Sequence, residues 1–156
     1  MRTLAERLKA VEDELSIGNL VARFTDAVNE RDIAGFRQLW ADDAVWEIGP
    51  PLQSRAEGID EIVALLRRLL QAEQYFMQMT HSGVVEIKGD RATARFVERE
   101  RAVVNQVTTT VWLFTKMFSY ARQTVGASQN AFIATASWIK VPLEGRHFQS
   151  PDSNSE

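Results

Sequence analysis

The sequence predicts an α+β domain in which helices cover one face of a curved antiparallel sheet. Three observations carry this. Over the first 72 residues the apolar positions recur at helical spacing; after residue 74 they alternate in twos, as in half-buried strands. The β-prone runs are separated by the turn signals "KGDR" and "GASQN". Helices followed by consecutive strands, rather than alternating with them, are the α+β order. The chain has 156 residues, about one domain's worth and long enough to bury a core without cross-links.

The elements follow in order. Leu4, Leu8, Val11 and Leu15 step by four, three and four along one helix face. Leu20, Val21, Phe24 and Val28 continue a second apolar face. Asp32 is placed to cap a short helix that carries Ile33, Phe36, Leu39 and Trp40 inward. "ADDAVWEIGPP" reads as a turn into a short strand stopped by Pro50 and Pro51. After Gly58, a third helix gathers Ile59, Ile62, Val63, Leu66, Leu69 and Leu70 on one face, with Asp60 and Glu61 in the first turn, where the helix dipole favours them. Four strands follow: one through Met77 to Ile87, then "ATARFVERERAVV", "QVTTTVWLFTKMFSY" and "AFIATASWIKV". The expected organisation is a single domain over residues 1–148 and a polar, disordered tail over 149–156.

Composition excludes several functions. The chain has no cysteine and two histidines, which removes disulfides, thiolate metal sites and a cysteine nucleophile, and argues against a histidine-rich metal site. A net charge of −3 gives no general electrostatic attraction to nucleic acid or acidic membranes. No apolar run is long enough to span a bilayer, and the N-terminal stretch is charged throughout, without a signal-peptide core. The expectation is a soluble cytoplasmic protein that binds neither nucleic acid nor membrane.

His81 stands inside a strand pattern, not in a loop. Its phase is that of Met77, Met79, Val85 and Ile87, so it is expected to face the helix-covered interior. On the next strand Ala92, Ala94 and Phe96 share a phase that continues into Glu98 and Glu100. A short turn near Gly89 and Asp90 sets Glu98 opposite or diagonal to His81, with Glu100 one pair further. A β-bulge would break this register; without one, a histidine and two carboxylates share the concave face. A carboxylate can fix the imidazole tautomer and raise its basicity, which suits acid/base work. Against this stands a buried structural histidine, with the two glutamates paired to surface arginines.

"FTDAVNERDIAGFRQLWADDAVWEI", "GIDEIVALLRRLL" and "MTHSGVVEIKGDRATARFVERE", in that order and spacing, resemble the SnoaL-like branch of the nuclear-transport-factor-like superfamily. The likeness covers roughly residues 4–101, and "PLEGRHF" resembles the family's closing segment. The resemblance implies a cone-shaped, highly curved antiparallel sheet wrapped over three N-terminal helices, with an apolar pocket inside. Dehydratases of that group carry a helix tyrosine and, five residues later, an aspartate; the matching positions here are Phe24 and Asn29. Their strand histidine matches His81, and an acid on the following strand matches Glu100. Asp26 is close to the missing aspartate in sequence but was expected on a different helix face. Residues 101–143 contain no Asp or Glu, whereas the first 100 residues contain 18. This departure is either divergence or a local change of reading frame, and no family site residue transfers there.

The functional expectation is an enzyme that dehydrates or isomerises a small, largely apolar substrate (polycyclic, aromatic or steroid-like) by proton transfer. His81 would be the acid or base, Glu100 or Glu98 its partner, and Phe24, Asn29, Trp40, Met77, Met79 and Phe96 the pocket wall. No metal and no organic cofactor is implied. The alternative is a non-catalytic ligand-binding or assembly module of the same fold. The acid-poor strands "VTTTVWLF" and "AFIATASWI" carry more apolar surface than one face hides, which predicts a homodimer.

Overall fold

The structure, a computed structural model, describes residues 3–49, 53–89, 91–104, 107–125 and 129–137. Three helices come first: α1 (Leu4–Asn29), α2 (Ile33–Arg37) and α3 (Ile59–Ala72). Two short strands, β1 (Val45–Ile48) and β2 (Ser54–Glu57), lie between α2 and α3. Four longer strands follow: β3 (Tyr75–Lys88), β4 (Arg91–Val104), β5 (Val107–Val125) and β6 (Gln129–Ser137). They form one six-stranded sheet in the order β2-β1-β6-β5-β4-β3. Every pairing is antiparallel except β1 with β6, a short parallel joint through Trp46↔Ala136 and Glu47↔Ser137. The expected tail and the "PLEGRHF" segment lie outside the described residues.

Local chemistry sets the helix ends. Thr3 and Glu6 form a reciprocal capping box at the start of α1. The Asp32 carboxylate accepts from the Gly35 N–H at 2.9 Å and starts α2. The two apolar faces expected near the N-terminus belong to one helix, α1. Its inner face, Ile17, Val21, Phe24, Ala27 and Val28, enters the core. Arg31, in the left-handed region at φ 56°, donates to the carbonyls of Leu70 at 2.8 Å and Glu73 at 3.2 Å. A cation is thereby held at the C-terminal end of α3, where the helix dipole favours it. Burial pushes the Glu73 carboxyl up from its usual value, and Arg31 opposes that.

The core centres on four aromatic rings. Phe36 is fully buried, with ring centroids 5.5 Å from Phe24, 5.4 Å from Trp40 and 5.7 Å from Trp46. Ile62, Leu65, Leu66 and Leu70 of α3 and Ala92, Ala94 and Phe96 of β4 complete the same cluster.

The sheet bends at one level. The β3–β4 register slips between Thr80 and Gly83, so that His81 and Ser82 together oppose Val97. The β4–β5 register slips at the same level, between Phe96 and Glu98. Two irregularities flanking one strand at one height concentrate twist there and curl the sheet over the helices. Gly83 makes the bend possible. A Cβ on it would strike the Phe96 ring and stand 2.6 Å from the Arg95 carbonyl oxygen. The ring lies where a side chain would otherwise be, an aromatic covering a strand glycine. Gly83→Ala is therefore expected to cost about 1–3 kcal/mol by overpacking, read as a lower midpoint in urea unfolding with an unchanged slope. Unaltered stability would mean that the ring moves freely.

Candidate functional site

The bulge corrects the expected phase of β3. Before it, Phe76, Gln78 and Thr80 point inward; after it, Gly83, Val85 and Ile87 do. The inward phase of Val85 and Ile87 therefore does not extend back to the methionines. Met77 and Met79 lie on the outer face, 45% and 47% exposed. His81 stands at the bulge itself, outside the regular ladder and exposed. Glu98 is paired in register with Thr80, and Glu100 with Gln78, so no ladder rung joins either glutamate to His81.

On β4 the inward run is Ala92, Ala94, Phe96 and Glu98, with Glu98 fully buried. Its Oε1 accepts from the Thr80 hydroxyl at 3.5 Å. The Thr80 and Thr25 hydroxyls meet at 2.6 Å, and Gln78 Nε2 donates to Thr25 at 3.4 Å. The chain has a direction. Thr80 donates to the carboxylate, so Thr25 must donate to Thr80, and Thr25 in turn accepts from Gln78. Three polar side chains from α1 and β3 thus converge on one buried acid.

Asn29 closes the edge of this network. β3 is the outermost strand, and Asn29 pairs with its backbone at Gln78 as a neighbouring strand would. Its Oδ1 accepts from the Gln78 N–H at 2.8 Å and its Nδ2 donates to the Gln78 carbonyl at 2.8 Å. Both halves of the amide are used, and a carboxylate can supply only one of them. Asn29→Asp is expected to turn the second bond into an oxygen–oxygen contact and cost about 1–3 kcal/mol at neutral pH. The introduced carboxylate gains a proton in acid and can then donate, so the deficit should shrink as pH falls below its pKa. Denaturation midpoints of the two proteins across pH 4–8 check this; a deficit that grows in acid contradicts it.

Between α1 and β3 lies an open cleft of about 410 Å³. Its wall comprises Gly18, Val21, Ala22, Thr25, Asp26 and Asn29 of α1, Thr80 and His81 of β3, and Phe96 of β4. Gly18 and Ala22 leave the room; Val21 and Phe96 supply apolar surface; Thr25 and Thr80 present hydroxyls. Of the residues expected at a pocket, the structure brings His81, Asn29 and Phe96 here. Phe24 and Trp40 are instead packed in the aromatic core.

Asp26 is the addition. It had been set apart from Asn29 by helix face, yet residues three apart share a helix face, and both line the cleft with His81. That spacing was available in the sequence. The buried Gln78 and the Thr25–Thr80 contact, 55 positions apart, had no local signal. Among the described residues, no three His, Asp or Glu side chains are grouped as metal ligands.

The fold and cleft can be set beside known proteins. The SnoaL-like domain model matches residues 9–126, well over half of the chain. The chain belongs to the SnoaL-like family. The match runs through β4 and β5, past residue 101 where the resemblance in sequence weakened. Among solved structures, an NTF2-like protein with a cystatin-like fold from Novosphingobium aromaticivorans superposes with a TM-score of 0.69 at 22% identity, covering 89% of this chain and 92% of that one. A hexachlorocyclohexane dehydrochlorinase, LinA-type3 from Novosphingobium barchaimii, superposes with a TM-score of 0.74 at 15% identity, covering 93% of this chain and 99% of that one. No curated protein is matched by the sequence. At these identities the SnoaL-like chain shares with both structures the cone of N-terminal helices and curved sheet. Among the described residues, no helix of this SnoaL-like protein is long and apolar enough to cross a membrane.

Proposed function

We propose that this SnoaL-like protein is an enzyme that moves a proton on a small, largely apolar substrate, in a dehydration, isomerisation or related elimination. Polycyclic, aromatic and steroid-like compounds are the class to which the wall is suited. The observation that carries the reading is the cleft itself. An imidazole from β3, His81, and a carboxylate from α1, Asp26, line it together with apolar side chains and two hydroxyls. His81 is the acid or base, since imidazole exchanges a proton near neutral pH. Asp26 adds a carboxylate from the α1 side of the cleft. Glu98 acts behind the wall, where it orders the Thr25 and Thr80 hydroxyls. Because their protons are directed toward Glu98, what they offer a ligand is lone pairs. This favours a substrate that brings a hydroxyl hydrogen to the cleft. Glu100 is in register with Gln78 on the neighbouring strand. The homodimer expected from the sequence remains part of this proposal; the side chains on β5 and β6 that suggested it lie outside the described residues.

A second reading, a ligand-binding module without turnover, is favoured by Asn29, whose amide is committed to the β3 backbone. The two readings separate in deuterated water. A panel of apolar hydroxy- and keto-compounds is first ranked by thermal shift. Binders are then followed by NMR for loss of the C–H signal next to the oxygen-bearing carbon. Enzyme-dependent exchange or conversion supports catalysis. Tight binding with no exchange in any member supports the binding module and overturns the enzymatic reading.

A further inference from the structure

Helix α1 carries a second apolar stripe that its own fold leaves uncovered. Leu4, Leu8, Val11 and Leu15 are 79%, 57%, 53% and 62% exposed. They do not belong to the inner face, which enters the core only from Ile17 onward. Their 4-3-4 spacing is the a/d seam of a coiled coil. The stripe runs on with the same spacing into Gly18, Ala22, Thr25 and Asn29, the α1 residues that line the cleft.

We propose that this stripe is a pairing surface for a second copy of the chain, with the two α1 arms antiparallel. The charge pattern selects both occupant and direction. Glu6, Arg7 and Lys9 stand in the first half of the arm, net basic, and Glu12, Asp13 and Glu14, all acidic, in the second; Lys9 also pairs with Asp13 of its own helix at 3.9 Å. An antiparallel pair lays each basic half on the other's acidic half, whereas a parallel pair lays like on like. With Leu8 opposite Val11, Leu4 meets Leu15, and Arg7 of each copy flanks Glu14 of the other. Antiparallel arms also set the two domains at opposite ends of a seam about 18 Å long, so that they do not crowd each other. Leu4 of one copy then lies one turn from Gly18 of the other, at the edge of its cleft.

The chain has no cysteine, so crosslinking reads the geometry directly. Leu4→Cys and Leu15→Cys proteins, mixed and oxidised, should give mainly the mixed disulfide, because residues 4 and 15 face each other. Mainly Leu4→Cys homodimer would overturn the antiparallel arrangement. Sedimentation tests the surface itself. Leu8→Glu/Val11→Glu should sediment as a smaller species than wild type with unchanged circular dichroism, since both positions are exposed in the single chain, whether or not the sheet faces also pair. Arg7→Glu should weaken the dimer roughly tenfold through two symmetric contacts, and Arg7→Glu/Glu14→Arg should restore it. A wild-type protein that stays monomeric at its highest soluble concentration, or a Leu8→Glu/Val11→Glu dimer as stable as wild type, overturns the proposal. So would recruitment of the monomer to anionic vesicles, which would mark the stripe as a lipid-facing surface.

Discussion

His81→Gln is expected to lower turnover by about 10²–10⁴-fold, the usual contribution of one positioned acid or base, while leaving the fold intact. The two halves of this expectation have separate grounds. His81 is exposed at a bulge, and substitutions at exposed positions away from caps and strained turns usually change stability by less than about 0.5 kcal/mol. Glutamine keeps a side chain of similar reach and hydrogen-bonding capacity but cannot exchange a proton near neutral pH. A ligand held mainly by Val21, Phe96 and the two threonines should therefore bind almost as before. The checks are the rate in the exchange or conversion assay, the ligand dissociation constant and the denaturation midpoint of the variant. A variant that binds normally and turns over normally removes His81 from the mechanism.

Phe36→Ala is expected to be the most damaging single core change, at about 3–5 kcal/mol. Typical domains have only about 5–15 kcal/mol in total, so this variant should unfold at markedly lower urea or temperature. The reason is position. Phe36 lies on the short helix α2 and touches rings from α1 (Phe24), the α2–β1 connection (Trp40) and β1 (Trp46). Removing it leaves a hole bordered by three elements that cannot all move inward together. A loss near 1 kcal/mol would show that the cluster collapses to fill the gap.

Phe36 also illustrates what was legible in the sequence. The spacing of Ile33, Phe36 and Leu39 after Asp32 sufficed to place a short helix and its inward face. The amphipathic α3 was as readable, because its apolar residues recur over several turns. β4 was legible because Ala92, Ala94 and Phe96 alternate with charged or polar neighbours. β2 was not: "SRAE" has a single inward residue, Ala56, and follows two prolines. The phase of the first half of β3 was misread for a physical reason. One extra residue reverses which side chains face inward, and hydrophobicity cannot reveal it when the outward residues are methionines and the inward ones Gln78 and Thr80. Gly83 was the available signal, since a glycine inside a strand marks a bulge or a close approach. Nor could a local pattern show that Gln78 is satisfied by Thr25 and Asn29 from a helix about fifty residues earlier. Such partners are assembled only by the tertiary fold.

The expected His81–Glu98 rung is not formed: the slip leaves Glu98 in register with Thr80. His81, beside the bulge, lines the cleft from β3, and Asp26 lines it from α1. Glu98 accepts from the Thr80 hydroxyl.

The most direct measurement is an NMR titration of the imidazole signals with and without a ligand identified by thermal shift. The chain has only two histidines, and His81→Gln assigns the signals by deletion. A ligand in the cleft is predicted to move the His81 resonances and its titration midpoint. A ligand that binds tightly, yet leaves the His81 signals and midpoint where they were, would contradict a proton-transfer site at this cleft.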